Sequence, residues 1–372
     1  MNRKQFIEIA AGTIVITGVT YYVSSDKQNF IRGDIPKIDL DLISLKPDEK
    51  EILTLAALAP SGHNTQPWFV KYLEPYHWII GNDKSRWLPA VDSTQRETIL
   101  SIGAFLQNLE YAANNLGYSC EFNVLANTNQ DEEVVEIWLN KLGSIHPFDI
   151  QKIKNRRTVR SNYLGENLIK EDLGYLIKDE LDAIIYFPNT AKEHKYLNEQ
   201  TIEANKIQSY RDDAQGELAN WIRFSSKDVE KYRDGLSVAS MEIEGISAWA
   251  LRNFYDKEKV MKKNFREQSI NKVIEEVSNP SAGWLVITSK DNSTNMLLET
   301  GKKLQRLWLK VRDKSIAIHP MTQIIEESVI HKNLNASLGI TEPIQFLLRV
   351  GYLKNYPEVV SVRRVVDGFL RI

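Results

Sequence analysis

The chain has 372 residues, of which 42% are hydrophobic and 26% are charged, a composition typical of a globular protein with a large core. Its formal net charge of −2 argues against nucleic acid as a partner, because nucleic-acid-binding domains usually carry a basic excess. Cys120 is the only cysteine, which excludes a disulfide framework and a cysteine-based zinc site. The length favours two domains or two fused halves.

Residues 1–28 form a signal-like or anchor segment, in which Arg3 and Lys4 precede an apolar stretch from Ala10 to Val23. The order Arg-Lys-x-Phe-Ile resembles a weakened twin-arginine export signal. We therefore expect a cell-envelope location, periplasmic or anchored through the N-terminus, with possible membrane association there and a cytoplasmic location as the alternative. An amphipathic helix packed on the body is the structural alternative for this segment.

The elements of the first half follow one another in a regular order. A helix begins at residues 46–50, where a proline and acidic residues mark its first turn, and it leads into a loop at 59–68. Strands near 68–73 and 77–81 form a hairpin. A long helix then carries apolar residues at three- and four-residue steps up to Gly117, and strands near 120–125 and 134–138 complete an α+β unit.

The loop at 59–68 reads Ala-Pro-Ser-Gly-His-Asn-Thr-Gln-Pro-Trp, and its two prolines restrict its shape. Asn64 and Gln66 offer both donors and acceptors, which suits the edge of a heteroaromatic ring with alternating C=O and N–H groups. A turn whose polar side chains cap their own backbone is the alternative. We predict a ligand-binding loop.

The second half begins near Pro147, and its segment Arg156-Arg157-Thr158-Val159-Arg160 is suited to holding a phosphate through charge-assisted contacts. A solvated basic loop is the alternative. A strand near 183–187, a long helix near 193–211 and an irregular helical region at 212–279 follow. A strand at 283–288, a helix with an apolar stripe between Leu297 and Val311, and a strand at 346–352 complete the pattern.

Together these segments resemble the nitroreductase family of FMN-dependent flavoproteins. The loop at 59–68 matches the family's most specific signature, and residues 156–160 look like its phosphate-binding Arg-x-Ser/Thr-x-Arg/Lys segment. The strand Leu-Arg-Val-Gly-Tyr at 348–352 and the pair Arg363-Arg364 are similar to the family's C-terminal strand and final basic pair. The resemblance covers roughly residues 45–370.

The order of these segments departs from ordinary members, which carry the arginine segment before the Pro-Trp loop in each subunit of a homodimer. It resembles the fused, duplicated Acg-like subfamily, as do Asp92-x-x-x-Arg96-Glu97 and the segment 317–323. The resemblance implies an α+β, nitroreductase-like three-layer fold in two tandem halves that form a pseudo-dimer. The halves are 29–146 and 147–372, with a possible lid at 212–265. The same resemblance implies one composite FMN site per chain.

The resemblance also implies roles for particular residues. The basic segment and the tail would hold the FMN phosphate and ribityl chain, the Pro-Trp loop would contact or shape the isoalloxazine ring, and two residues near 320 would lie against it. The implied FMN-binding residues are Pro60, Ser61, Asn64, Gln66, Trp68, Arg156, Arg157, Thr158, Arg160, Pro320, Met321, Arg363 and Arg364. We predict no catalytic side chain and no metal site, because the flavin supplies the chemistry.

The expected activity is an oxidoreductase that passes hydride or electrons from NAD(P)H through FMN to a nitroaromatic, quinone or similar small-molecule acceptor. With no GxGxxG fingerprint in the sequence, NAD(P)H would be a transient donor. The alternative is a flavin-binding or flavin-sequestering protein whose lid limits turnover. His63 and His319 lie in the proposed flavin-facing loops as tuning groups or as structural histidines. A pseudo-dimer satisfies its own interface, so we expect a monomer.

Overall fold

The computed structural model describes residues 45–144 and 147–372, so the signal-like segment at 1–28 lies outside the described residues. The described part is built from two main β-sheets and the helices around them, which confirms the predicted α+β class. Within these ranges, every helix is too short or too polar to cross a bilayer.

The first sheet has five strands in the order β11-β1-β2-β4-β3. Its strands are β1 (Trp68–Glu74), β2 (His77–Asn82), β3 (Tyr118–Val124), β4 (Glu133–Lys141) and β11 (Leu370–Arg371). The strands β1 to β4 pair antiparallel, whereas the short C-terminal strand β11 pairs parallel with β1 in the register Val70 to Leu370. The tail of the second predicted half therefore extends the sheet of the first.

The second sheet has four antiparallel strands in the order β5-β8-β10-β9. These strands are β5 (Ile184–Pro188), β8 (Gly283–Thr288), β9 (Ile316–Pro320) and β10 (Ile344–Tyr352). All residues of β8 and nearly all of β10 are buried, which explains why β8 reads as an almost continuous apolar run, whereas β10 also buries Gln345 and Arg349. A separate pair, β6 (Ile222–Arg223) and β7 (Leu236–Ser237), is parallel.

Fourteen helices are present in the described ranges. They are α1 (Pro47–Ala56), α2 (Arg96–Asn115), α3 (Ile150–Asn155), α4 (Lys170–Ile177), α5 (Lys192–Tyr210), α6 (Asp212–Trp221), α7 (Ser226–Tyr232), α8 (Gly245–Phe254), α9 (Lys257–Val260), α10 (Lys263–Ser278), α11 (Thr294–Val311), α12 (Gln323–Glu326), α13 (Ser328–His331) and α14 (Leu334–Leu338). The irregular helical region expected at 212–279 thus consists of five short to medium helices and the β6–β7 pair.

The helices α2 and α11 cross in the centre of the molecule, where both are buried along most of their length. Their contact is reciprocal. A Cβ added to Gly103 would lie 2.1 Å from the carbonyl oxygen of Leu298, and a Cβ added to Gly301 would lie 2.0 Å from that of Leu100. The two backbones approach so closely because neither glycine has a side chain.

One hydrophobic core joins the inner faces of both sheets to α2 and α11, and it includes Trp68, Phe105, Leu285 and Trp308. A second cluster packs the outer face of the second sheet against α5, α10 and the short helices α12 to α14. Cys120 on β3 is half-buried, and burial raises the pKa of its thiol, so it remains protonated at neutral pH.

Candidate functional site

The loop at 59–68 adopts a conformation that its residue types rarely take. After α1, the chain makes a short 3-10 turn at Gly62–Asn64. His63, Asn64 and Gln66 have φ angles of 45°, 54° and 53°, in the left-handed region. The Ser61 hydroxyl accepts a hydrogen bond from the Gln66 backbone N–H at 2.9 Å and closes the loop on itself. Such strain persists only where the surroundings hold it, and it is common at functional sites.

A cavity of about 390 Å³ lies beside this loop, a size within the range of small-molecule and cofactor sites. Segments that are distant in the sequence meet at its wall. Of the residues predicted to bind the cofactor, those that line the cavity are Pro60, Ser61, Asn64, Arg156, Thr158, Arg160, Pro320 and Arg363. The structure therefore brings the Pro-Trp loop, the arginine segment, the end of β9 and the tail together.

Arg156 and Arg363 connect this wall to the start of the loop. The Arg363 guanidinium donates to the Ala59 carbonyl at 3.1 and 3.0 Å, and Arg156 donates to the Leu58 carbonyl at 3.4 Å. Arg156 also lies over the Trp308 ring, 4.6 Å from its centroid. Burial lowers the pKa of Arg156 to about 10, which leaves it charged at neutral pH.

Three other predicted residues support the loop from behind instead of lining the cavity. Gln66 is fully buried and donates to the Arg233 carbonyl at 2.9 Å, while its own side-chain oxygen accepts from the Arg364 N–H at 2.9 Å. The Arg364 guanidinium donates to the carbonyls of Gln66 and Trp68 at 2.6 and 2.7 Å. The Trp68 ring packs on Phe105 in the core.

Arg157 and Met321 also lie away from the cavity wall. Arg157 is buried and forms an ion pair with Glu242 at 3.2 Å, and it donates to the Glu358 carbonyl. Met321 is 1% exposed and packs in the second hydrophobic cluster. Both residues therefore fix the segments that carry their cavity-lining neighbours Arg156 and Pro320.

Several cavity-lining residues carry buried polar atoms that have no hydrogen-bond partner within the described ranges. Among them are Asn64 Oδ1, Arg160 Nη1, Asn205 Oδ1 and Gln323 Oε1, as well as Nδ1 of His63 and of His319. Buried polar atoms in proteins are almost always paired, so such a group at one cavity needs an explanation. Carboxamide oxygens that accept and guanidinium groups that donate suit a ligand with N–H groups and an anionic end. The residues present therefore fit FMN.

The cavity wall also carries two carboxyl groups, Glu97 on α2 and Glu326 on α12, neither of which was predicted as a site residue. Burial and the charge of Glu97 raise the pKa of Glu326 to about 8. Asp92, just before α2, has its pKa raised to about 7 by burial and by Glu97. Spacing along the chain gave no signal for this group, because α2 and α12 are far apart in the sequence.

The two histidines that the sequence singled out also line the cavity. Burial lowers the pKa of His63, and Arg160 lowers it further against the opposing effect of Glu97. Burial and Arg160 hold the pKa of His319 well below its usual range. His319 Nδ1 lies 3.8 Å from Glu276 Oε2. Both imidazoles are therefore neutral at pH 7.

Residues 212–265, named here the cover segment, lie against the Pro-Trp loop and the arginine segment. Asn64 and Gly235 exchange two hydrogen bonds, from Gly235 N to the Asn64 carbonyl at 3.1 Å and from Asn64 Nδ2 to the Gly235 carbonyl at 3.0 Å. The Glu242 carboxylate accepts from Arg160 N at 3.1 Å and from the Ser161 hydroxyl at 2.7 Å. The cover segment also contributes apolar cavity-lining residues, Leu218, Ile222, Leu236, Met241 and Ile243.

A buried ion-pair network anchors the same segment to the first half. Asp234 is 5% exposed and pairs with Arg86 at 2.9 Å and with Arg223 at 2.6 Å. Arg86 also donates to the Thr65 carbonyl at 2.8 Å, next to the loop. Arg233 Nε donates to the Arg363 carbonyl at 3.0 Å. The cover segment is thus fixed to both ends of the site.

No group of three or more histidine, cysteine, aspartate or glutamate side chains in residues 45–144 and 147–372 has an arrangement that would hold a metal ion. The polar chemistry of the described site comes from guanidinium, ammonium, imidazole, carboxamide, carboxyl and hydroxyl groups.

Comparison with known proteins gives relatives that span most of the chain. PigM of Serratia sp., named as an NAD(P)H nitroreductase, is 23% identical over 317 residues, which cover 80% of this chain and 86% of PigM. Acg of Mycobacterium tuberculosis, also named as an NAD(P)H nitroreductase, is 24% identical over 340 residues, which cover 87% of this chain and 95% of Acg. No protein-family model matches the chain.

Among solved structures, a nitroreductase-like protein from Anabaena variabilis matches with a TM-score of 0.42 at 11% identity, covering 87% of this chain and 95% of that chain. The resemblance that the motifs predict is confirmed by the sequence relatives, and this chain is similar over most of its length to proteins named NAD(P)H nitroreductase.

Proposed function

We propose that the protein is an FMN-dependent oxidoreductase that takes electrons from NAD(P)H and passes them to a nitroaromatic, quinone or similar acceptor. One observation carries the proposal. The Pro-Trp loop, the arginine segment and Arg363 line one cavity, although about 300 residues separate Pro60 from Arg363. The names of PigM and Acg support the same class of activity.

In this proposal Arg156, Thr158 and Arg160 hold the phosphate end of FMN, since two guanidinium groups and a hydroxyl meet there. Ser61 and Asn64 take the polar edge of the ring, and Pro320 lies against it. The roles of Gln66, Trp68, Arg157, Met321, Arg363 and Arg364 include holding these segments in place, as their contacts indicate. When bound, FMN supplies the hydride chemistry.

Apolar residues of the cavity wall keep water from the reaction. Leu100, Ala104, Leu304 and Phe346 give the cavity an apolar side formed by α2, α11 and β10. Excluding water strengthens the interactions of the arginines with an anionic ligand, because the local dielectric constant falls.

We further propose that the two halves act as a fused pseudo-dimer with one composite site. The reciprocal contacts of Gly103 and Gly301 support this arrangement, because a two-fold interface places residue i against j and residue j against i. The shared first sheet, in which the C-terminal β11 extends β1, gives a second link between the halves.

The test is an anaerobic titration of the purified protein with NADH and with NADPH, followed by the visible flavin spectrum. FMN that remains bound and bleaches stoichiometrically, and that reoxidises when a quinone or nitroaromatic is added, supports the proposal. A protein that neither carries nor takes up FMN would contradict it.

The second candidate function is flavin sequestration with little turnover. Its specific support is the cover segment, which contributes apolar residues to the cavity and binds both Asn64 and Arg160 through hydrogen bonds. Bound FMN that stays oxidised with both pyridine nucleotides, but that is reduced by a small chemical reductant, would favour this second candidate.

A further inference from the structure

The motif Asp92-x-x-x-Arg96-Glu97 has no role in the proposed cofactor contacts, yet hydrogen bonds and an ion pair hold its side chains in place. The Asp92 carboxylate accepts from the N–H groups of Glu97 and Thr98 at 3.1 and 3.0 Å and so sets the start of α2. Arg96 pairs with Glu97 at 3.0 Å and donates to the Gln345 carbonyl at 2.8 Å. Together these contacts hold Glu97 at the cavity wall.

Glu97 comes close to the Pro-Trp loop. A Cβ built on Gly62 would lie 3.2 Å from Glu97 Oε2, so the carboxyl group packs directly against the loop backbone. Glu97 also acts electrostatically on His63. The carboxyl group is therefore within the site and not on the outer surface of α2.

Glu326 occupies the same cavity wall from a different element. Its carboxyl group accepts from the Thr322 hydroxyl at 2.7 Å and from Gln208 Nε2 at 2.6 Å, and both donors are neutral. Thr322 and Gln208 also line the cavity. The hydrogen bonds orient Glu326 without neutralising a negative charge on it.

The charges around the pair leave one carboxylate without compensation. Arg96 is the guanidinium that acts on both Glu97 and Glu326, and its ion pair is with Glu97. The adjacent Glu327 is already paired with Arg211 at 2.6 Å. His331 is neutral at pH 7, because burial and Arg96 lower its pKa. Burial, with the negative charge of Glu97 nearby, therefore favours the protonated form of Glu326.

The other ionisable groups of the wall do not compete for this role. His63 and His319 are neutral at pH 7. Glu276 also has a raised pKa from burial, but Lys272 lies 3.4 Å from it and Arg160 favours its charged form. Glu326, whose pKa is raised to about 8, holds its proton at pH 7.

We propose that Glu326 holds a proton at the cavity wall, and that it donates this proton to the acceptor as the acceptor is reduced. The proposal rests on the proposed oxidoreductase function and deepens it. The quinone gains a hydride equivalent, that is, two electrons and one hydrogen nucleus. This hydride equivalent derives from NAD(P)H. The Glu326 O–H bond breaks, a new O–H bond forms on the quinone, and the resulting carboxylate regains a proton from water. The nicotinamide is oxidised, and the quinone is reduced to the hydroquinone.

The first test needs no flavin. Infrared spectra of the protein should show the C=O stretch of a protonated carboxyl group below about pH 8, and this band should disappear above that pH and be absent from Glu326→Gln. Asp92, with a pKa of about 7, contributes a second titrating band, and the comparison with Glu326→Gln separates the two. Glu97→Gln should move the remaining Glu326 titration to lower pH, because the like charge is gone. Glu203→Gln, an exposed change on α5, is the matched control.

The second test separates the two half-reactions by stopped flow with NADPH or NADH and then with a benzoquinone. Glu326→Gln should slow reduction of the quinone by about 100-fold, the lower range for general acid catalysis, and slow reduction of the bound FMN much less. In the wild type the quinone step should slow as pH rises through about 8, and in Glu326→Gln it should lose this dependence.

The outcomes distinguish the proton donor from the underlying function. A wild-type protein without the Glu326 infrared band overturns the inference whether or not FMN binds. A band that is present, together with a quinone step that Glu326→Gln leaves unchanged, also overturns it and indicates that water supplies the proton. Failure to bind FMN instead overturns the proposed function, and the infrared titration still decides whether Glu326 holds a proton.

Discussion

Gly103 on α2 and Gly301 on α11 occupy equivalent positions in one contact, since a Cβ on either glycine would lie 3.0 Å from the Cα of the other. Each glycine follows a leucine by three residues, and each leucine carbonyl lies under the glycine of the opposite helix. The helices α2 and α11, which also line the cavity, therefore meet through a reciprocal contact.

Substitution of Gly301 by alanine should destabilise the protein. The new methyl group would overlap the Leu100 carbonyl, and the two helices would have to move apart, at a cost of about 1–3 kcal/mol in the free energy of unfolding. Urea denaturation followed by circular dichroism measures the change. Gly103→Ala should behave in the same way, because its contact is the reciprocal one.

The matched control is Gly174→Ala in the exposed helix α4, where a Cβ would meet nothing within 4 Å. This substitution should leave stability unchanged or raise it by about 0.5–1 kcal/mol, because alanine favours the helix. Equal stabilities for Gly301→Ala and the wild type would contradict the close approach of α2 and α11.

The regular elements were predictable because their patterns are local. The strand at Gly283–Thr288 was predicted with its observed bounds. Gly117, which was predicted to stop the long helix, has a φ of 81° and follows shortly after the end of α2. The strand β11 was not predicted, because Leu370–Arg371 is too short for a periodic pattern and depends on pairing with β1. The β6–β7 pair was missed for the same reason.

The site was predictable in its motifs but not in the direction of each side chain. The alternation within Arg156-Arg157-Thr158 does not reveal that Arg156 faces the cavity while Arg157 turns to Glu242. Gln66 was predicted to contact the flavin ring. Its side chain instead donates to the Arg233 carbonyl and accepts from the Arg364 backbone N–H. Glu326 gave no sequence signal, since its partners come from α2 and α5 through tertiary packing.

Arg160→Ala should weaken FMN binding by about 10- to 100-fold, because a charge-assisted hydrogen bond to a phosphate contributes roughly 1.5–3 kcal/mol. Arg160 lines the cavity and has a buried Nη1 with no hydrogen-bond partner within the described ranges. Quenching of flavin fluorescence during titration with FMN measures the dissociation constant. The control is Lys170→Ala at the exposed start of α4, and an equal effect of both changes would argue against a phosphate contact.

Glu242→Gln should loosen the cover segment. The substitution removes the ion pair with Arg157 and weakens the bonds from Arg160 N and the Ser161 hydroxyl. We expect faster amide hydrogen exchange in residues 233–243 and, if the cover segment limits access, faster quinone reduction. Glu230→Gln, an exposed change within the same segment, should alter neither. Faster exchange with an unchanged quinone rate would remove the idea that this segment limits access.

His319 should contribute stability that is lost as the pH is lowered through the range in which unfolded histidine becomes protonated, whereas the raised pKa values of Glu326 and Asp92 act in the opposite direction. Burial depresses the pKa of His319 in the folded state, so the unfolded chain binds a proton that the folded protein does not. The contribution of His319 is therefore fully present above a pH of about 6.5 and declines below it by up to about 1.4 kcal/mol per pH unit, until His319 itself is protonated.

His319→Gln should remove this part of the pH dependence, because glutamine does not titrate. Urea denaturation at about pH 7.5 and about pH 5.5 should show a loss in the wild type that exceeds the loss in the variant by roughly 1 kcal/mol. The comparison uses the change with pH, so an overall destabilisation of the variant does not affect it. Equal losses in the two proteins would mean that His319 accepts a proton in the folded state as readily as in the unfolded chain.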